Sequence, residues 1–411
     1  MIVNLSNLTS AMGKVQSFAQ DIKKVPGVML NIGDNNIRVC YSDMGNRSII
    51  EEIDAVMSNE EQLGEIIVDY KLFMSIIDAC QPSGNVLCDN LTITIKDENI
   101  MSVEAVKYVK IPREDSKETD SKPVSKFKQE IRFSRPSDDT IKYGILSRMD
   151  YESIFENNGA DSWDKDTLVD MLNVLNKEDG KVCYFSSQFK AAFVANLAHL
   201  SYIPSDDIVE FGFSVNTKMA RSLVDIINKI PDDKLNITVE DTRYCKITTE
   251  DNKIGIWFEM APANRLDPNT LASYKGRQYG DYRIVINRPA LQDVVKRAIS
   301  ADSADTTAIT FKDTDKDLIV NIVNGGSASK LNDFSVIAEK YSGDTGKMLK
   351  AELPVSLKTV SDILDKCYGD YIILDVDDGD NGKCMRFTDA SGQQDDGEPI
   401  AWAYHYTLAT K

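Results

Sequence analysis

One order of elements recurs six times along this chain, and the recurrence constrains the fold more than any single motif does. The order is an amphipathic helix, an alternating strand, an acidic turn and further strands. The first copy has Leu8, Met12 and Val15 on a helix, then "GVMLNIGDNNIRVCYSD". The second has "DYKLFMSIIDAC", then "NVLCDNLTITIKDENIMSVEAV"; the third "SDDTIKYGILSRM", then "TLVDMLNVLNKEDGKVCYFSS". The fourth has "NTKMARSLVDIINKI", then "KLNITVEDTRYCKITTEDNKIGIWFEM". The fifth has "RPALQDVVKRAI", then "AITFKDTDKDLIVNIV"; the sixth "SLKTVSDILDKC", then "DYIILDVDDGDNGKCMRF". Short strands such as "EIIVD", "EIRFS" and "YRIVIN" precede most of the helices. Asp69, Asn216, Asn287 and Ser356 stand at helix starts as N-caps, and Pro289 suits a first turn.

A β-α-β-β-β unit of about sixty residues buries one helix face on one sheet, and two units side by side make a domain of ordinary size. The expectation is an α+β protein of three tandem similar domains: residues 1–128, 129–278 and 279–411. "PREDSKETDSKPVSKFK", 112–128, is polar and aperiodic and reads as an exposed linker. "APANRLDPNTLASYKGRQYGD", 261–281, reads as a second linker, and 150–166 as a loop of the middle domain.

Charge is unevenly distributed. The chain has formal charge −18, which speaks against a generally basic nucleic-acid binder but not against a local basic surface. The six helices are taken as 7–20, 70–80, 137–149, 217–230, 288–299 and 356–367. They hold 12 Lys+Arg against 7 Asp+Glu, a net +5 that leaves −23 on the remainder. Lys and Arg are good helix formers on wet faces, which accounts for part of this. If the sheets form one surface and the helices another, the helix surface is a basic stripe on an acidic body, suited to phosphates contacted without reading sequence.

Other classes of function find little support. The seven cysteines are scattered and form no Cys-x-x-Cys pair, so they read as buried free thiols in a reducing compartment. No apolar run approaches a membrane span, and "MIVNLSNLTSAMGKV" lacks the basic and apolar regions of a signal peptide, so a cytoplasmic location is expected. "SGDTGKM" lacks the spacing of a phosphate-binding loop. "DVDDGDNGK" places Gly379 and Thr388 where a calcium loop needs ligands. His199 and His405 pair with no nucleophile or metal cluster by spacing. No catalysis, cofactor or metal is expected.

With this pattern the chain resembles the bacterial-type DNA polymerase III beta subunit, the β sliding clamp, over essentially its full length. The closest local echoes are "VDYKLFMSIIDACQPSGNVLCDNLTITI", "EIRFSRPSDDTIKYGILSRM" and the final apolar strand "AWAYHYTL". The resemblance implies a DNA-clamp fold and a head-to-tail homodimer. Its sheets would lie outside and its helices would line a hole around double-stranded DNA. A clamp loader ATPase would open the ring, and a replicative DNA polymerase would be tethered by it. The implied DNA-facing residues are Lys14, Lys71, Lys142, Arg148, Lys218, Arg221, Lys229, Lys296, Arg297, Lys358 and Lys366. Clamps of this family bind partners through short apolar peptides. By position, Met171, Ser186, Phe189, Lys190, Ala191, Trp402, Tyr404 and Tyr406 would form the partner-peptide cleft, and Ile299 would lie at the subunit edge.

The chain departs from the family where Gln188-Phe189-Lys190-Ala191 replaces a Gly-His-Arg-Leu run and where the ending reads "YHYTL". The interdomain segment survives only as Gly280-Asp281-Tyr282-Arg283. The cleft is then differently lined, and divergence of this degree suggests a phage-encoded member. The rival readings are a β-rich viral structural or scaffold protein that does not act on DNA, a hydrolase with an unrecognised carboxylate cluster, and a two-domain trimeric clamp.

Overall fold

The structure is a computed structural model. It describes residues 1–19, 27–43, 47–57, 63–112, 119–136, 154–155, 160–177, 182–195, 199–206, 208, 212–262, 268–275, 277, 283–301, 307–313, 317–324, 334–342, 352–377, 383–393 and 399–408.

The repeat is present six times among the described residues. The first copy is β1 (Ile2–Asn4), α1 (Leu5–Phe18), β2 (Val28–Ile32), β3 (Asn36–Asp43) and β4 (Arg47–Val56); the second is β5 (Gly64–Val68), α2 (Tyr70–Cys80), β6 (Asn90–Asp97), β7 (Ile100–Pro112) and β8 (Thr119–Ser134). The third is β9 (Asp161–Asp164), α3 (Lys165–Leu175), β10 (Val182–Ser186), β11 (Ala191–Ala195) and β12 (His199–Pro204); the fourth is β13 (Phe213–Asn216), α4 (Thr217–Ile227), β14 (Lys234–Glu240), β15 (Tyr244–Thr249) and β16 (Ile254–Glu259). An additional helix, α5 (Pro268–Lys275), comes before the fifth copy, which is β17 (Arg283–Asn287), α6 (Arg288–Ala301), β18 (Thr307–Asp313), β19 (Leu318–Asn324), β20 (Phe334–Ile337) and β21 (Lys340–Ser342). The sixth is β22 (Glu352–Val355), α7 (Leu357–Leu364), β23 (Tyr371–Asp377), β24 (Cys384–Gln393) and β25 (Pro399–Leu408).

The expected caps act as caps. Asp69 accepts from the Leu72 amide at 2.7 Å, Asn216 from Met219 at 2.9 Å, Asn287 from Ala290 at 3.0 Å and Ser356 from Thr359 at 3.3 Å. Each satisfies one of the amides that a helix start leaves without an intrahelical acceptor.

The chain divides into two compact units: residues 1–169 with 222–260, and residues 170–221 with 261–411. The stretch expected as a middle domain, 129–278, therefore contributes to both. In the first unit twelve strands run in the order β1-β6-β7-β8-β5-β2-β3-β4-β16-β15-β14-β9, with β1 also paired to β4, so part of the sheet closes on itself. Every named pairing is antiparallel. Helices α1 and α2 pack on each other, α1 against β1, β3 and β4, and α2 against β7. Their apolar stripes, Leu5, Leu8, Met12, Val15 and Phe18 on one and Phe73, Ile76 and Ile77 on the other, are fully buried. Each such side chain contributes about 1.5–3 kcal/mol relative to exposure.

The second unit holds a nine-stranded sheet, β13-β10-β11-β12-β25-β24-β23-β17-β21, and a four-stranded sheet, β20-β19-β18-β22. Helices α6 and α7 pack on each other. Val294, Val295 and Ala298 of α6 and Val360, Ile363 and Leu364 of α7 join one core with Ile309, Phe311, Val320 and Ile322 of the smaller sheet. Ile284, Ile372, Leu374, Met385 and Phe387 of the larger sheet complete it.

Several local expectations are corrected. The polar stretch 112–128 is not a linker, since Pro112 ends β7 and residues 119–128 belong to β8. The two strands pair from Ile100↔Arg132 out to Pro112↔Thr119, with a bulge near Lys107. Its inner half is buried through Met101, Val103 and Ile131, whereas Val106, Ile111 and Val124 on its outer half are 46, 43 and 49% exposed. The outer ribbon has no buried face, so its sequence carries no apolar alternation, and the hydrogen-bonded ladder holds it. The third copy's helix expected at 137–149 lies outside the described residues. The stretch "TLVDMLNVL", taken as strand, lies in α3, and the expected loop 150–166 contains β9. The second linker contains α5.

Candidate functional site

The helix cations fall into three groups. Lys71, in the first turn of α2, Lys218 of α4 and Lys358 of α7 are exposed and make no ion pair among the described residues. The second group is exposed but tethered. Arg221 Nε donates to the Asn176 carbonyl at 3.0 Å. Lys229, just past α4, donates to the Gly13 carbonyl at 3.1 Å and to Ser17 Oγ at 2.8 Å. Lys296 stands 3.7 Å from Asp365 and is 57% exposed. Arg297 pairs with Asp293 one turn earlier on α6. Ion pairs this exposed contribute about 0–1 kcal/mol, so a phosphate can compete for either cation.

The third group is a correction. Lys14 is 2% and Lys366 is 1% exposed, so neither faces solvent. Lys14 follows Ala11 by three residues and precedes Phe18 by four, which puts it on the buried stripe of α1. There its ammonium donates to Glu51 Oε1 at 2.8 Å and Oε2 at 3.0 Å and to Ser10 Oγ at 3.1 Å. Lys366 lies beyond the end of α7, where its amide closes a turn onto the Ile363 carbonyl at 3.0 Å. Lys142 and Arg148 lie outside the described residues.

The residues expected in a peptide cleft lie in the second unit, on or beside the nine-stranded sheet. Register places Tyr184 opposite Phe193, Phe193 opposite Tyr202 and Tyr202 opposite Tyr404. Directly opposed residues share a face, so one aromatic row crosses β10, β11, β12 and β25. Tyr184 and Phe193 stack at 5.4 Å between centroids, and Tyr202 and Tyr404 are tilted at 6.1 Å. Phe189, in the turn between β10 and β11, meets Phe193 edge-on at 6.3 Å. Leu200 and Tyr406, opposed on β12 and β25, extend the same cluster, and Ala191 is buried in it. Ser186 accepts from the Phe189 amide at 3.3 Å and shapes that turn. Lys190 occupies the left-handed region at φ 47° and donates to the Ile208 carbonyl at 2.8 Å. Trp402 sits at a bulge of β25 and is half-buried. Met171 is buried on α3 and lies outside this aromatic cluster.

Helix α5 lies against this cluster. Leu271 and Tyr274, three residues apart and both buried, pack with Tyr184, Phe193, Tyr202 and Tyr406. The Tyr274 ring lies 5.7 Å from that of Tyr406, and burial pushes both phenols up to about 12. Arg277, just after α5, sets its guanidinium 5.8 Å over the Tyr274 ring and reaches Asp377 of β23 at 3.2 Å. Sequence reasoning missed this helix. Its signal in the sequence was the pair Asp-Pro at 267–268, residue types suited to a helix start.

Two further groups belong to the structure rather than to chemistry. His405 Nδ1 lies 2.9 Å from Ser201 Oγ across β12 and β25, a pairing that sequence spacing could not reveal. Both residues are 0% exposed, so no substrate reaches them. All seven cysteines are buried and free, and burial raises the thiols of Cys80, Cys88, Cys245 and Cys367. No cluster of metal-ligating side chains occurs among the described residues, and no described helix is long and apolar enough to cross a membrane.

No family model matches the sequence, and no curated protein matches it significantly. Similarity lies in the fold. DNA polymerase III beta subunit from Thermotoga maritima is 10% identical with a TM-score of 0.68, covering 100% of this chain and 99% of that one. The beta subunit from Streptococcus pyogenes is 12% identical with a TM-score of 0.69 and the same coverage. The DNA polymerase sliding clamp from Bacillus subtilis is 12% identical with a TM-score of 0.68, covering 100% and 98%. The chain therefore has the sliding-clamp fold over its whole length, as its repeat pattern implied. The source organisms are bacterial, and nothing in these similarities supports a phage origin.

Proposed function

We propose that the chain is a processivity clamp: two copies close head to tail into a ring around double-stranded DNA and tether a replicative DNA polymerase to it. The observation that carries this reading is the fold itself, shared with sliding clamps along essentially the full length of both chains. The charge distribution supports it. Exposed Lys71, Lys218 and Lys358 lie on the helices of a chain with net charge −18. Such cations can meet phosphates without reading sequence, and an acidic remainder repels DNA elsewhere.

In this proposal the six repeats pair into three domains, close to the expected 1–128, 129–278 and 279–411, with the first boundary moved past Ser134 so that β8 stays with its own repeat. Lys296, Arg297, Arg221 and Lys229 add to the DNA-facing surface at the expense of weak existing contacts. Ile299, 41% exposed on α6, lies at the edge where the second copy docks. A clamp loader ATPase opens the ring in the cytoplasm, and partner peptides use the aromatic face built by Phe189, Tyr404 and Tyr406.

Electron-microscope class averages of the purified protein, with its solution mass measured in parallel, test the assembly. A two-subunit ring with six lobes and a duplex-sized hole is expected. A filament, a solid shell or a chain that stays monomeric at every concentration would remove the ring from the account.

A further inference from the structure

The aromatic face of the second unit is already occupied. Its occupant is α5, eight residues long, held by Leu271 and Tyr274 and by the Arg277–Asp377 ion pair that follows. The hold is incomplete in two respects. A helix of this length has little stability of its own in water. The Tyr274 hydroxyl is buried and finds no hydrogen-bond partner among the described residues, a desolvation cost with no compensating bond. An apolar face covered by a short helix with one imperfectly satisfied anchor is poised for exchange with a better-fitting occupant.

We infer that α5 is a resident stand-in for the partner peptide, and that the face takes a short peptide presenting an aliphatic and an aromatic side chain three residues apart, which displaces α5 as it binds. The inference rests on the proposed reading of this face as the partner cleft. The chemistry of the occupant is read from the one that is present. Leu271 and Tyr274 show the side-chain classes and the spacing that the face accepts, with Tyr406 receiving the aromatic ring. Arg277 over the Tyr274 ring, paired to Asp377, shows that a cation after the aromatic is also accommodated. The outside peptide gains over α5 by supplying what Tyr274 lacks: an aromatic with no hydroxyl to bury, or one whose hydroxyl is satisfied.

The test uses the full chain and a fluorescein-labelled synthetic peptide of residues 266–277, "LDPNTLASYKGR", together with its Tyr274→Phe version. Binding is read by anisotropy, and opening of α5 by amide hydrogen exchange over 268–275 in the chain. The chain carrying Leu271→Ser and Tyr274→Ser should bind the labelled peptide at least tenfold more tightly than the unaltered chain, because its own occupant no longer competes. The Phe peptide should bind the unaltered chain more tightly than the Tyr peptide and speed exchange across α5. The chain carrying Tyr274→Phe, which keeps the anchor and removes the buried hydroxyl, should bind either peptide more weakly than the unaltered chain. Equal affinity of the three chains, or binding that leaves α5 exchange unchanged, would overturn the inference. So would absence of binding to a double variant that melts cooperatively. No arm of the test involves DNA or ring closure, so these outcomes are separable from failure of the clamp reading.

Discussion

Lys14 Nζ lies 2.8 Å from Glu51 Oε1, with the lysine side chain 2% and the glutamate 12% exposed. Burial raises the Glu51 carboxyl above its ordinary value, and the attraction of Lys14 offsets only part of the rise. Desolvation outweighs the charge pairing, as it commonly does for ion pairs taken out of water. A carboxyl that holds its proton more tightly when folded than when unfolded favours folding at low pH. That contribution fades as pH rises from the unfolded to the folded value. Lys14→Met strands the carboxylate and should destabilise the chain by about 3 kcal/mol at pH 7. The loss should be smaller at pH 5, where Glu51 more readily takes up a proton. Adding Glu51→Gln should restore most of the stability. Denaturant unfolding of the three chains at the two pH values checks this.

The same burial separates structural lysines from those proposed to face DNA. Changing Lys71, Lys218 and Lys358 together to Gln should weaken retention on DNA and flatten its salt dependence. The slope of log affinity against log salt should fall by about 0.9 for each lost phosphate contact. Lys14→Met, compared under conditions where it stays folded, should leave the slope unchanged. A filter-binding titration across salt concentrations measures both.

Asp69 caps α2 through the Leu72 amide. Asp69→Ala should cost about 1 kcal/mol, and Asp69→Asn or Asp69→Ser much less. The corresponding change at Ser356, which caps α7, should act independently because the two helices belong to different compact units. Thermal melts of the single and double variants read the sum.

Val106 and Lys126 are opposed on the β7–β8 ribbon, so a two-residue Asn-Gly turn can join them. Excising residues 107–125 in this way removes the Lys107 contact to the Ala79 carbonyl and the Leu87–Tyr108 bridge, but little apolar burial. The loss should be about 1–2 kcal/mol, and calorimetry would show whether the rest of the unit still melts cooperatively.

What the sequence revealed follows from how each element is held. Five of the six repeats and the four caps were legible because amphipathic period and capping chemistry are local, and α2 begins and ends where Tyr70–Cys80 was read. The third repeat was misplaced, since "TLVDMLNVL", taken as strand, forms α3. The outer half of β8 was not legible, because a ribbon exposed on both faces needs no alternation. Helix α5 was missed because only Leu271 and Tyr274 mark its buried face, and their value lies in Tyr406, far along the chain. Lys14 was misread by residue type, although its spacing to Ala11 and Phe18 already placed it on the buried stripe. The aromatic row from Tyr184 to Tyr404 depends on strand order, which single-strand patterns do not carry.

The central claim, that this chain holds DNA by encircling it, is tested most directly by retention on circular against linear duplexes of one sequence. The protein is first loaded by a clamp loader and ATP, then washed at salt high enough to remove ionic binding. The account predicts that protein stays on the closed circle and is lost when a single cut linearises it. Equal retention on both forms, or equal loss from both after verified loading, would contradict it.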